Sequence, residues 1–456
     1  MRLHSMRLSS LACAFALALS STAAFAAPAT GVPGSEAIAS KTLANGLKII
    51  VWPDHDIPNA NFYTFYKVGS RNEYPGITGL AHYFEHMMFN GTTRRAPGAF
   101  DREMEAAGGS NNASTSNDLT IYTDWFPSSA LETIFDLEGD RMANLAFDPK
   151  VVESERGVVY SERRSSVDND NFGTLLEQMQ ATAFTAHPYQ FPTIGWPSDI
   201  EHWKLDDLKK FFKTYYAPNN AVLVIAGDVD PAQVFALADK YLAPLQKQPE
   251  PTPITTVEPE QLGERRLVVE RSDAQSPIVA YAFHSGMGAG DNRFPALELL
   301  TTILSQGQSS RLHQRLVERE QAATQAGAFA EAGFDPGLLW VYAMLPPGGD
   351  MARVESLLDD ELAKIARDGV SADELAKARN LKASSFWRGM ATINGKARAL
   401  GTYEVFNGDY RKLFDAPSAY DAVSAADVQA LAKRILRIQN RTTGLLKPVA
   451  AKEAAK

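Results

Sequence analysis

Residues 207–223, DLKKFFKTYYAPNNAVL, lie over residues 427–443, DVQALAKRILRIQNRTT, at an offset of 220, with Asp207 over Asp427 and Asn220 over Asn440. Leu80 to Thr92 lies over Leu297 to Ser309 at an offset of 217. Two separate segments repeating at nearly one interval constrain the chain strongly: one plan is built twice. In both copies of the first pair, an acid stands at a helix start, apolar residues follow at helical spacing, and a strand comes next. Each half mixes alternating strand-like stretches with helical ones, so the predicted class is α+β, two homologous lobes of similar α/β sandwich fold. A length of 456 residues also exceeds what one core accommodates. Residues 247–266, KQPEPTPITTVEPEQLGERR, have linker composition. The expected lobes are 27–246 and 267–456.

Residues 1–26 are of another kind. Arg2 and Arg7 precede an apolar run from Leu11 to Leu19, and Ala24-Phe25-Ala26 is a small-x-small cleavage site. This is the pattern of a signal peptide cut after Ala26 or Ala27, and the run is far short of the ~20 residues of a spanning helix. The expected location is a periplasm. Cys13, the single cysteine, lies inside that run, so the mature chain has neither disulfide nor thiol chemistry. Loss of the two arginines takes the net charge from −9 to −11, with no basic patch to hold nucleic acid.

The stretch from Gly79 to Gly91, GLAHYFEHMMFNG, reads as a buried helix closed by a glycine. His82 and His86, four apart, leave the same face one turn apart, a separation at which two imidazoles can share one zinc. Glu85 falls on the same side, within reach of a water on the metal. Three ionisable groups on one face of an apolar helix need partners, which argues against simple core residues. A hydrolytic zinc takes three protein ligands and keeps one position for water. Asp148-Pro149 starts a second helix, acid at the N-cap and proline after it. Along it Glu155 and Glu162 are seven apart and share a face; spacing leaves open which of them binds zinc. In the repeat, His82, Glu85 and His86 fall on Leu299, Thr302 and Ile303, so metal chemistry belongs to the first lobe.

HYFEH, the inverted zinc-peptidase motif, followed by a glutamate 76 residues beyond His86, resembles the pitrilysin/insulinase family of zinc metallopeptidases. The likeness extends through Gly79-Leu80, Asn90-Gly91-Thr92, Gly108 to Ala113, Glu155-Arg156, Val158-Val159, His187-Pro188-Tyr189, and Asn219-Asn220 before Gly227-Asp228. The resemblance implies zinc as cofactor, Glu162 as third ligand, and Glu155 as a carboxylate orienting a ligand histidine. It implies Glu85 as general base in endopeptidase chemistry on peptides, and two lobes facing each other like a clam shell. By its own residues Gly108 to Ser116, GGSNNASTS, reads as a flexible loop. In the family the matching segment is an edge strand to which substrate adds, which makes Asn112 and Ala113 the expected peptide contacts.

The chain departs from the family at a second site. An Arg and a Tyr seven apart, which hold substrate, are expected at positions occupied by Val317 and Thr324; Arg319 as a shifted substitute would pair with Ala326. Either this lobe is a degenerate scaffold or a homologous partner subunit carries the Arg/Tyr pair, as in family members that work as heterodimers. Two rivals have other chemistry: a non-catalytic structural or binding subunit, and a metal hydrolase of small esters or amides. Retention of all four metal-site residues speaks against the first, and a strand-like substrate edge against the second.

Overall fold

The computed structural model describes residues 31–450; the stretch read as a signal peptide lies outside the described residues. β1 (Ala39–Thr42), β2 (Lys48–Pro53), β3 (Asn59–Tyr66), β4 (Ser110–Thr115), β5 (Thr120–Pro127) and β6 (Ala221–Gly227) make one mixed sheet. β7 (Arg265–Arg271), β8 (Ile278–His284), β9 (Gln325–Ala330), β10 (Leu338–Met344) and β11 (Arg441–Pro448) make a second. The orders are β1-β2-β6-β3-β5-β4 and β7-β11-β8-β10-β9, so the second is the first without its β1 edge. Each has one parallel pair, β2 with β6 and β7 with β11, among antiparallel neighbours. The segments that repeat in sequence are the Leu205–Tyr215 and Ala425–Ile435 helices, each leading through a short turn into β6 or β11. The α+β class and a sheet in each half are as the sequence predicts.

Central strands such as KIIVWP and AVLVIAG are apolar on successive residues because both faces of the sheet are covered. Ile49, Val51, Phe62, Leu223 and Ile225 point into the core beneath the helices of their own half. Their alternates Ile50, Trp52, Phe65, Val222 and Val224 pack instead on Ile393, Ala397 and Leu400 of the Ile393–Asn407 helix, which belongs to the second half. The exchange is mutual. Leu175, Met179 and Ala183 of the Asn171–Ala183 helix cover Ile278, Ala280, Leu338 and Trp340 of the second sheet. Polar ties pin the crossings: Lys48 Nζ to Glu404 and Lys396 Nζ to Asp54, both 2.6 Å, and Arg271 Nη1 to the Asp168 carbonyl, 2.8 Å.

Two local expectations change. The metal-motif helix ends at Met87, not at Gly91: the N–H groups of Phe89 and Asn90 turn back to His86 O and Met87 O, and Gly91, at φ 99°, serves the next turn. Residues read as a loop form β4, since backbone pairing to β5 supplies what weak strand propensity does not. The 247–266 segment has no regular structure until β7 begins at Arg265. Among the described residues no helix is long and apolar enough to cross a membrane.

Candidate metal centre

The Leu80–Met87 helix is anchored at its start by two acids that the sequence reading missed. Glu73, buried, accepts from the N–H groups of Gly79 and Ala81, both at 2.7 Å. Burial pushes its carboxyl up, while these two bonds at a helix N-terminus favour the anion. Asp199 accepts from Thr78 Oγ1 at 2.6 Å and from the N–H groups of Gly76 and Thr78. Neither acid lies in a recognisable motif; their role shows only when the chain before residue 80 is seen to fold back. Along the helix, tyrosine hydroxyls donate to carbonyls: Tyr216 to Ala81 and Tyr122 to Phe84. Tyr83 donates to Val152 O, tying this helix to the Pro149–Arg163 helix.

The second helix starts as the sequence predicts, with Asp148 accepting from the N–H groups of Lys150 and Val151. Its far end is fixed by Arg163, buried and bidentate to Glu177 at 2.7 and 2.9 Å. Immediately beyond, residues Arg164–Asp168 loosen into a π turn. Glu162 is thereby placed opposite both histidines, its oxygens 3.6 Å from His82 Nε2 and 3.2 Å from His86 Nε2. The two imidazoles hold Glu162 below the ordinary carboxylate value, His82 foremost. Glu155 takes a different position: it accepts from His86 Nδ1 at 2.8 Å and from Asn90 Nδ2 at 2.8 Å. Burial opposes a charged His86, but the bond to Glu155 and the charges of Glu155, Glu162 and Glu85 raise its pKa above the usual value.

One ligand atom each from His82, His86 and Glu162 lies within 4.8 Å of the others. Ligand atoms about 2.1 Å from a tetrahedral zinc are about 3.4 Å apart, so modest closure admits the ion. With Nδ1–H committed to Glu155, His86 presents a lone pair on Nε2, the neutral form a metal requires. Two imidazoles and one carboxylate form a set that zinc takes in hydrolases, with a position left for water. Glu85 stands beside the ligands without joining them, its Oε2 accepting from Thr115 Oγ1 of β4 at 2.5 Å. β4 is an edge strand: Ala113 turns toward the metal-helix side and packs on the core, Asn112 toward solvent. Val317, one of the two positions at which the resemblance leads one to expect a substrate-holding residue, lies in the π-helical His313–Arg319 segment, and Thr324, the other, just before β9.

This is the architecture of a metallohydrolase, and comparison with known proteins narrows it. Residues 54–195 match the model described as "Insulinase (Peptidase family M16)", and residues 202–382 that described as "Peptidase M16 inactive domain". The zinc protease PqqE of Helicobacter pylori is 31% identical over 416 residues, 90% of this chain and 92% of that protein. A crystal structure of a protease from the same organism superimposes with a TM-score of 0.87 at 30% identity, covering 90% of this chain and 99% of that one. The fold is also that of the periplasmic protease PqqL from Escherichia coli, TM-score 0.75 at 19% identity, where 93% of this chain covers 49% of the other. The chain belongs to the M16, or insulinase, family of zinc proteases.

Proposed function

We propose that the chain is an exported, periplasmic zinc endopeptidase in which His82, His86 and Glu162 hold the metal and Glu85 is the general base. The observation that carries this reading is the convergence of the three ligand atoms from two helices, with Glu85 beside them but engaged elsewhere. A zinc ion bound there supplies a Lewis acid and lowers the pKa of a water toward ~7. Glu85, placed beside the ligands, would accept a proton from an attacking water and pass it to the leaving amine. Glu155 fixes the His86 ring and its tautomer. Asn112 and Ala113 of β4 are assigned to the substrate backbone, since among the described residues no strand pairs with the outer edge of β4.

Two lobes of one chain that close like a clam shell would have to move past each other. Here each sheet is covered on one face by a helix from the other half. That supports one interlocked valve per chain, with a homologous chain carrying the Arg/Tyr pair as the opposing valve. The match to half of the PqqL chain agrees with such a pairing. The test is a peptide-cleavage assay on the purified zinc-loaded chain, alone and with a homologous partner. Feeble cleavage alone, rising with the partner and abolished by changing the partner's Arg and Tyr, is the expected outcome. Full activity alone, unaffected by a partner, overturns the division of labour; absence of bound zinc overturns the metal assignment.

A further inference from the structure

We propose that Thr115 is a positioning residue for Glu85, coupling the edge strand on which the peptide lies to the group that moves the proton. This rests on the reading of Glu85 as general base. A glutamate side chain has three torsions to fix, and a base that wanders by about 1 Å forfeits roughly 10²-fold in rate. Glu85 is the one carboxylate of the centre that no histidine orients. Its restraint is the Thr115 hydroxyl at 2.5 Å, which occupies Oε2 and leaves Oε1 for the water.

Thr115 is itself held firmly. It is the last residue of β4, registered against Thr120 of β5. The turn that follows is gripped from outside: Ser70 and Arg71 donate their backbone N–H groups to Ser116 O and Asn117 O, at 3.3 and 2.9 Å. The grip needs a glycine at 69, where a Cβ would stand 2.3 Å from Ser116 O. Arg71 Nη1 and Tyr189 OH both bond Asp118. Thr115 therefore offers its hydroxyl from a rigid hairpin end. The same strand presents Ala113 two residues earlier, so a peptide added to β4 and the carboxylate facing its scissile bond share one mounting.

Thr115→Val removes the hydroxyl and keeps the shape; Thr115→Ser keeps the hydroxyl. In the zinc-loaded enzyme, assembled with its partner if one is required, Thr115→Val is expected to lower kcat about 10- to 100-fold. KM, zinc content and melting temperature should stay within twofold or within error, and Thr115→Ser should restore most of kcat. If Thr115→Val keeps wild-type kcat, or Thr115→Ser is as poor as Thr115→Val, the proposal is overturned. If Thr115→Val loses zinc or fails to fold, Thr115→Ser decides alone: full activity supports the hydroxyl's role and loss of activity refutes it. A parallel Glu85→Gln variant separates the two readings, because activity retained there removes Glu85 itself from the mechanism.

Discussion

The Leu80–Met87 and Phe294–Ser305 helices occupy equivalent places in two sheets of one strand order, yet one carries the candidate metal-binding group and the other is core. Leu299 and Ile303, at the positions of His82 and His86, are buried in the second half's main cluster. Thr302, at the position of Glu85, turns its hydroxyl back to Glu298 O at 2.7 Å. The first helix holds polar groups on that face only because other elements answer each of them: Glu155 for His86, Glu162 for both imidazoles, Thr115 for Glu85. The second helix begins just under one turn earlier in the equivalent frame, whereas the first is cut short by Gly79 and tied there by Glu73. A duplicated backbone is thus neutral toward chemistry. A few side chains, and the partners that compensate their burial, decide which copy reacts.

The largest effect is expected of Glu85→Gln, which keeps the size of the side chain and removes the atom that would accept the proton. Zinc should remain bound, and peptide cleavage should fall by about 10²- to 10⁴-fold, the range of general base catalysis. Wild-type turnover at full zinc occupancy would dismiss Glu85. Next comes the pair of carboxylates. Glu162→Gln should strip most of the metal, read by elemental analysis, whereas Glu155→Gln should retain it with affinity or activity down about 10- to 100-fold. The reverse ranking would exchange their roles.

How much of this was legible in the sequence follows from range. His82, Glu85 and His86 sit within one helical turn, so spacing alone displayed their common face. Asp148-Pro149 announced the second helix, but nothing local told Glu155 from Glu162; only the resemblance separated them, and which of the two faces the ring nitrogen of His86 at Nδ1 is a long-range contact. By its own residues β4 reads as a loop, because they are poor strand formers and its stability comes from β5; the edge strand was implied by the resemblance alone. The anchoring acids Glu73 and Asp199 carry no pattern. Apolar runs such as AVLVIAG showed that both faces of a strand were buried. They could not show that the second face is covered by a helix about 170 residues away in sequence.

That mutual covering offers a gentler perturbation. Gly401 meets Phe65 so closely that a Cβ would lie 2.0 Å from the ring, and Gly444 meets Met179, with a Cβ 2.3 Å from its sulfur. Both are small residues at the two crossings, but their neighbours differ. Phe65 is fully buried and its ring has nowhere to go, whereas Met179 ends in a flexible thioether. Gly401→Ala should therefore destabilise by about 1–3 kcal/mol, partly offset by better helix propensity, and Gly444→Ala by less. Thermal unfolding would check the order, and a single transition in both variants is expected because each crossing ties the halves together. Equal shifts would mean that the Phe65 side relaxes as easily as the Met179 side.

The smallest effect tests whether the half without metal still touches the chemistry. Asp335, in the β9–β10 connection, reaches across to the first half. It pairs with Arg71 Nη2 at 2.6 Å and accepts from His187 Nε2 at 3.1 Å, and its own N–H donates to Tyr189 OH. Burial holds His187 below its usual pKa, and its Nδ1 accepts from the Tyr189 N–H, so Nε2 carries the proton toward Asp335. Arg71 and Tyr189 are the two side chains that bond Asp118 in the β4–β5 turn. A carboxylate from the second half thus steadies the hairpin from which Thr115 addresses Glu85. Asp335→Asn keeps the size and removes the charge. Because Asp118 still holds Arg71, the hairpin should loosen rather than detach, lowering kcat by only about 2- to 5-fold with zinc occupancy unchanged. Combined with Thr115→Val the loss should vanish, since the hairpin no longer carries a restraint on Glu85. Additive losses in the double variant would place the influence of Asp335 elsewhere, and wild-type kcat in Asp335→Asn would confine the second half to stability and assembly.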